Sequence, residues 1–216
     1  MKINSQNYSF NFKGIKIAKA TIKNTNEPLE FDVYKITPKD KIFLSNLYQS
    51  TDVCKLYPGL QEYHYHLWDH VLKESIKMDD NEKIFLLAKD KKPCGLLNYS
   101  EEKSRIFVNS VCTIPLGKFN KVPWVGTTLF LSLFKEFLKT PLNRIRLVAA
   151  KSAPFPTVPK YYRLGFKSLG GDEYNEVMVI DKNNVQCILQ KNENNIEFIE
   201  INNNKDIDLE KHLKLP

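Results

Sequence analysis

The sequence predicts a mixed α/β (α+β) protein, in the main one sheet-centred domain. Three observations predict it. The 216 residues suit one domain with appendages. Hydrophobic residues at 42% and charged residues at 26% make a globular mix. Apolar periods of two and of about 3.6 residues then succeed one another as β-α-α-β-β-β-α-β-α-β, with further β segments at both ends.

Residues 8–23 alternate apolar and polar (Phe10, Phe12, Ile15, Ile17), which predicts a short strand pair turning at Gly14. Glu27-Pro28 breaks it, and residues 31–36 form the next strand. Thr37 caps a helix over 39–48, with Pro38 at its first position. After a turn at Tyr57-Pro58-Gly59, a second helix spans about 61–78, with His64, Leu67, Trp68, Val71 and Leu72 on one stripe. Strands follow over 84–88, 94–99 and 105–114, joined by turns at 90–93 and 101–104. The third is apolar on both faces, the pattern of a central, doubly covered strand. A loop over 116–125 leads to a helix over 127–139, stopped by Thr140-Pro141. Residues 144–150 form a strand, three prolines stiffen the next loop, and a short helix over 159–164 stops at Gly165. A strand over 176–181, a hairpin of 185–190 with 196–201, and an acidic tail complete the chain. The division is an N-terminal β extension (1–30), the main domain (31–181), and a C-terminal hairpin with its tail (182–216).

The net charge of +7 is uneven: +3 over residues 1–115, +9 over 116–167 and −5 over 168–216. The middle segment attracts an anion. A basic solvated face is the simplest reading of the charge alone. Nucleic acid lacks support, since there is no Lys/Arg block and no RNP, zinc-finger or helix-turn-helix pattern. A compact polyphosphate ligand is the third reading. No apolar run approaches the roughly 20 residues that span a bilayer, so no membrane partner is expected. Residues 1–8 hold no signal-peptide core, and the expected location is the cytoplasm. Cys54, Cys94, Cys112 and Cys187 are too widely spaced for a CxxC pair and read as reduced thiols. His66 and His70 share i, i+4 spacing, but without H-E-x-x-H they read as a solvated face and no metal is expected.

Three segments carry chemistry. Val111-Cys112-Thr113-Ile114-Pro115 ends a strand, and Lys121-Val122-Pro123-Trp124-Val125-Gly126-Thr127 opens a helix. Tyr161-Tyr162-Arg163-Leu164-Gly165-Phe166 begins 35 residues after Gly126. A helix start offers about four unpaired N–H donors and a partial positive charge, where phosphates sit readily. This arrangement resembles the GCN5-related N-acetyltransferase (GNAT) family over about residues 31–181. That family has a strand ending V-x-P, a loop [Q/R]-x-x-G-x-[G/A] opening a helix, and then Y-x-x-x-G-F. The resemblance implies a mixed, mostly antiparallel central sheet flanked by helices, with acetyl-CoA or another acyl-CoA as co-substrate. It implies that Val111, Cys112, Thr113, Lys121, Val122, Trp124, Val125, Gly126 and Thr127 hold coenzyme A. Lys121 stands where the family has Gln or Arg, and Trp124 where it has the first loop glycine. Trp124 still has a backbone N–H, which serves a phosphate if its φ is negative.

The resemblance also makes Tyr161 the acid that protonates the leaving thiolate. A phenol with pKa near 10 can donate to a thiolate whose thiol pKa is near 8.5. A core tyrosine beside Phe166 is the structural alternative, and Tyr162 the alternative register. The implied reaction moves an acyl group directly to a primary amine, on a small molecule or a peptide. It passes through a tetrahedral intermediate whose oxyanion takes a backbone N–H from the central strand. Tyr63, His64, Asn109 and Ser110 are expected at the acceptor site. The central strand has no carboxylate, so the general base stays open, with a water held by Asn109 or Ser110 as one route. A homodimer is compatible with this reading, and the competing reading is a non-catalytic acyl-CoA-binding module on the same fold.

Overall fold

The computed structural model describes residues 13–25, 27–50, 62–113, 122–151, 153, 156–201 and 207–213. Strands β1 (Lys13–Ile22) and β2 (Leu29–Ile36) lead through a 3-10 turn, Pro38–Asp40, into α1 (Lys41–Ser50) and α2 (Glu62–Ile76). The Thr37 N–H donates to Asp40 Oδ2 at 3.0 Å, so the expected capped helix begins as this tighter turn. A meander follows: β3 (Glu82–Lys89), β4 (Lys92–Glu101) and β5 (Arg105–Thr113). Then come α3 (Val125–Leu138), β6 (Arg144–Ala150), α4 (Thr157–Arg163), β7 (Lys167–Gly171) and β8 (Asn175–Asp181). The chain closes with α5 (Lys182–Asn192), β9 (Ile196–Glu200), β10 (Ile207–Asp208) and α6 (Leu209–His212).

The strands make one sheet in the order β10-β1-β2-β3-β4-β5-β6-β8-β7, with β9 also on β1. Every described pairing is antiparallel except β5 with β6. That parallel pair needs a crossover, and α3 supplies it. Helix α3 covers one face, where Phe130, Phe134 and Phe137 are at most 2% exposed, each burial worth about 1.5–3 kcal/mol. Helices α1 and α2 cover the other face over β2–β4, where Phe43, Leu47 and Trp68 pack on Ile84, Leu86 and Leu96. Gly95 brings α3 down onto β4: a Cβ there would lie 2.6 Å from Val125 Cγ1 and 2.9 Å from Leu129 Cδ1.

Four sequence expectations are corrected. The strand pair turning at Gly14 is a single strand, β1, that runs through Gly14; residues 8–12 lie outside the described residues. The segment 185–190 is not a hairpin strand but part of α5, and β9 pairs with β1 instead. Asp181 caps α5 by accepting the Asn184 N–H at 2.8 Å, and Val185, Ile188 and Leu189 then recur at helical spacing against the core. The strand β7 was not expected; Gly170, at φ 99°, carries its irregular pairing with β8. Finally, β5 is central but not covered along its length, since Asn109 and Thr113 are exposed.

Candidate active site

The site is built where β5 and β6 separate. Their pairing runs from Arg105 with Arg144 to Val108 with Leu147 and ends there, although β5 continues to Thr113 and β6 to Ala150. Beyond Val108, β5 is held by β4 alone, and β6 by β8. The break coincides with a bulge: Tyr99 pairs with Val108 and Asn98 with Ser110, leaving Asn109 unmatched. Bulges bend a strand and end its pairing. This one also resets the alternation of faces. Ile106 and Val108 pack in the α3-side core, as Val111 does after it, while Cys112 joins the α1/α2 side.

Helix α3 starts beside the open half of β5. No side chain caps its first turn, and the first intrahelical bond runs from Thr128 N–H to Trp124 O at 2.7 Å. The N–H groups of Val125, Gly126 and Thr127 therefore precede the helical ladder and aim outward. Gly126 is not demanded by the fold. An added Cβ would meet only Thr113 Cγ2, at an ordinary 3.8 Å. Trp124 does not meet the condition of a negative φ under which its N–H would serve a phosphate: its φ is 69°, in the left-handed region. It thus adopts the backbone conformation that a glycine at this place takes freely. For a tryptophan this costs about 1–2 kcal/mol, partly offset by packing of its half-buried ring on the α3-side core.

Tyr161 and its neighbours form a helix end with a defined hydrogen-bond pattern. The Phe166 N–H donates to Tyr161 O at 3.1 Å and the Gly165 N–H to Tyr162 O at 2.9 Å, the two bonds of a Schellman motif. Gly165 has φ 85°, and a Cβ on it would lie 2.8 Å from Ile188 Cγ1. The Tyr161 ring stands edge-on to Phe166 at 5.9 Å and to Phe130 at 5.6 Å. Packing thus accounts for an aromatic ring at 161, for Gly165 and for Phe166. It does not account for the hydroxyl, which has no hydrogen-bond partner among the described residues. Burial pushes this phenol up to about 12, so it holds its proton throughout the physiological range. Tyr162 is 49% exposed. Thr157 ties α4 to the end of β6 through Oγ1 to Ala150 O at 2.6 Å.

The other expected residues divide by place. Val111 and Val122 pack on the α3-side core, and Val125 is buried within it. Thr113, Gly126 and Thr127 share the mouth between β5 and α3. The Cys112 side chain faces the other way and is buried, which raises its thiol pKa; only its backbone is left to serve a ligand. Asn109 and Ser110 sit at the bulge. Tyr63 and His64 lie in α2, but their side chains, like Lys121, are outside the described residues. Part of the basic segment is neutralised internally: Lys135 and Lys139 pair with Glu200, and Lys151 with Glu176.

Glu82 was missed by the sequence reading. Asn109 Nδ2 donates to Glu82 Oε1 at 2.7 Å, bringing a carboxylate from β3 to the bulge. Glu101 pairs with Lys83, Glu102 with Arg105 and Glu74 with Lys77, whereas Glu82 has no cation among the described residues. Desolvation raises its pKa, with Asp79 and Glu74 adding to the effect against an Asp79 backbone N–H that lowers it. Among the described residues the adjoining Ser110 hydroxyl is buried without a partner, as is the Trp68 indole N–H from α2. The sequence signal was faint: one Glu opening a strand, near the bulge only through two strand pairings.

No family model matches the sequence, and neither does any curated protein. Solved structures do match the fold. The ribosomal-protein-S18-alanine N-acetyltransferase from Escherichia coli superposes with a TM-score of 0.51 at 14% identity, over 70% of this chain and 93% of its own. The fold here is the GNAT fold. Two further GNAT-fold structures agree. Apo FdhC, a nucleotide-linked sugar GNAT, gives 0.50 at 12% identity over 86% of this chain and 97% of its own. Aminoglycoside 6'-acetyltransferase type Ii gives 0.50 at 13% over 69% and 96%.

Proposed function

We propose that this GNAT-fold chain is an N-acyltransferase that moves an acetyl or other short acyl group from acyl-CoA to a primary amine. The observation that carries the reading is the parting of β5 from β6 after Val108, directly beside the uncapped start of α3. A GNAT-fold chain with only a structural role has no need of an open strand edge, three free helical N–H groups and an unpartnered phenol around one cleft. The pyrophosphate of coenzyme A would take the N–H groups of Val125, Gly126 and Thr127, with the helix dipole favouring its charge. The open β5 edge would pair with the amide groups of the pantetheine arm.

The chemistry balances with residues at the cleft. The neutral amine attacks the thioester carbonyl carbon, forming the C–N bond and a tetrahedral oxyanion. A β5 backbone N–H beyond the bulge stabilises that charge. The C–S bond then breaks, the Tyr161 hydroxyl gives its proton to the thiolate, and the surplus proton on the acylated nitrogen returns to the tyrosinate, leaving a neutral amide and a free thiol. Glu82 accepts the proton that the acceptor's ammonium must lose before attack. A second reading, a non-catalytic acyl-CoA-binding module, is favoured by Trp124, whose bulky side chain stands in the loop where a glycine is usual. Calorimetry with acetyl-CoA, followed by a turnover assay with mixed primary amines, tests both. Binding with turnover supports the enzyme; binding without turnover supports the module; no binding removes both.

A further inference from the structure

Arg146 is the least explained charge among the described residues. It lies on β6, half-buried, with its Nε buried and without a hydrogen-bond acceptor. Among the described residues it makes no ion pair or hydrogen bond. A guanidinium is charged at every physiological pH and has five donors to satisfy. Burying its Nε–H without an acceptor is costly, which makes the position difficult to explain by folding alone.

The sheet register supplies what the side chain lacks. Glu82 pairs with Ser100, Ser100 with Phe107, and Phe107 with Arg146. Directly opposed residues share a face, so these four form one row across β3, β4, β5 and β6. The row lies on the sheet face that α1 and α2 cover further along, since Ile145 and Leu147 belong to the α3-side core. Neighbouring strands are about 4.8 Å apart, so roughly 14 Å of sheet separates the Cα atoms of Glu82 and Arg146. The row has an unpaired carboxylate at one end, an unpaired guanidinium at the other and the half-buried Phe107 beside the guanidinium. It lies next to the bulge where β5 leaves β6.

We propose that the acceptor amine carries an anionic group, a carboxylate, at the far end of an extended apolar linker, and that Arg146 binds this anion while Glu82 receives the ammonium. An α-amino acid, with its two charges a few bonds apart, is too short for the row. A chain of methylene groups crossing Phe107 fits it. The inference deepens the acyltransferase reading and rests on it for the reaction, although the site itself can be tested without turnover.

Calorimetry on the full chain compares ω-aminohexanoate and ω-aminooctanoate with hexylamine and octylamine, with acetyl-CoA titrated separately. The carboxylate-bearing probes bind the wild type about tenfold more tightly than the matched alkylamines, the scale of one charge-assisted contact. Arg146→Met erases that preference, and its melting temperature checks that it is folded. Should it fail to fold, Arg146→Gln replaces it. Equal affinity for the two probe types in the wild type, no binding of either, or a preference retained in the folded variant would overturn the proposal. An intact preference with no acetyl-CoA binding would instead overturn the acyltransferase reading and leave the anion site standing.

Discussion

The two halves of β5 belong to one strand but are held differently. Over Arg105–Val108 it has β4 on one side and β6 on the other, and Ile106 and Val108 are buried. Over Asn109–Thr113 it keeps β4 alone, and two of its five residues are exposed. Composition does not distinguish them strongly, since Val111 and Cys112 are as suited to a covered strand as Phe107. The unmatched Asn109 makes the difference. It spends one residue on a bend, so the closed half anchors the strand while the open half offers its edge to a ligand.

The largest expected effect comes from Tyr161. Tyr161→Phe keeps both ring contacts and the Schellman bonds, so its melting temperature stays close to wild type. Steady-state kinetics should give a kcat loss of about 10²–10⁴, the usual cost of removing a general acid, with acyl-CoA affinity little changed. Tyr162→Phe should leave turnover intact, its side chain pointing about 100° away around the helix. Normal turnover in Tyr161→Phe would reduce that residue to the packing role its rings already explain.

Next in size is Gly126→Val. The fold has room for a Cβ there, so the variant should melt as a folded protein. The added side chain would stand where the pyrophosphate approaches. Losing one or two charge-assisted hydrogen bonds, each about 1.5–3 kcal/mol, should weaken coenzyme A by at least about tenfold in calorimetry. Unchanged affinity would mean that the phosphates lie elsewhere.

Two smaller effects sharpen the comparison. Trp124→Gly and Trp124→Ala both lose the indole, but only alanine keeps the left-handed strain. Denaturant unfolding should find the glycine variant more stable by about 1–2 kcal/mol. Equal stabilities would show that the backbone relaxes once the ring is gone. Glu82 has a raised pKa in the folded state, so its ionised form costs stability. That cost is absent below the unfolded-state pKa and complete above the folded-state one. Glu82→Gln should therefore raise the melting temperature slightly at pH 7 and not near pH 4. In turnover, the same substitution should remove an acidic limb from the pH dependence of kcat/KM.

The sequence disclosed those parts of the site that are local in the chain. A helix start near Gly126 and a helix stop at Gly165-Phe166 each depend on a few adjacent residues; the start lies two residues earlier than the pattern put it, at Val125, and the stop stands at Gly165. Helix α5 is equally local, but its apolar residues Val185, Ile188 and Leu189 fit a short strand as well as a helix until the Asp181 cap is set beside them. The end of β5–β6 pairing depends on which residue of one strand faces which of another, and no single segment carries it. The Glu82–Arg146 row needs three such registers at once. The left-handed Trp124 was hidden for a different reason: a residue name excludes few backbone conformations, and here packing holds the unfavoured one.

The strand β1 has ten residues, and its outer side is shared by β9 over Ala18–Ile22 and by β10 at Lys13 and Gly14. The two ends of the described chain therefore fasten one another at the margin of the sheet. A bare margin of that length is a template for pairing with other molecules. Trimming the protein after β8 keeps every candidate cleft residue but strips that margin and takes α5 from the core. The trimmed chain, without that margin and without the α5 packing beside Gly165, should be lost to aggregation, and its inactivity would say nothing about Tyr161 or Glu82.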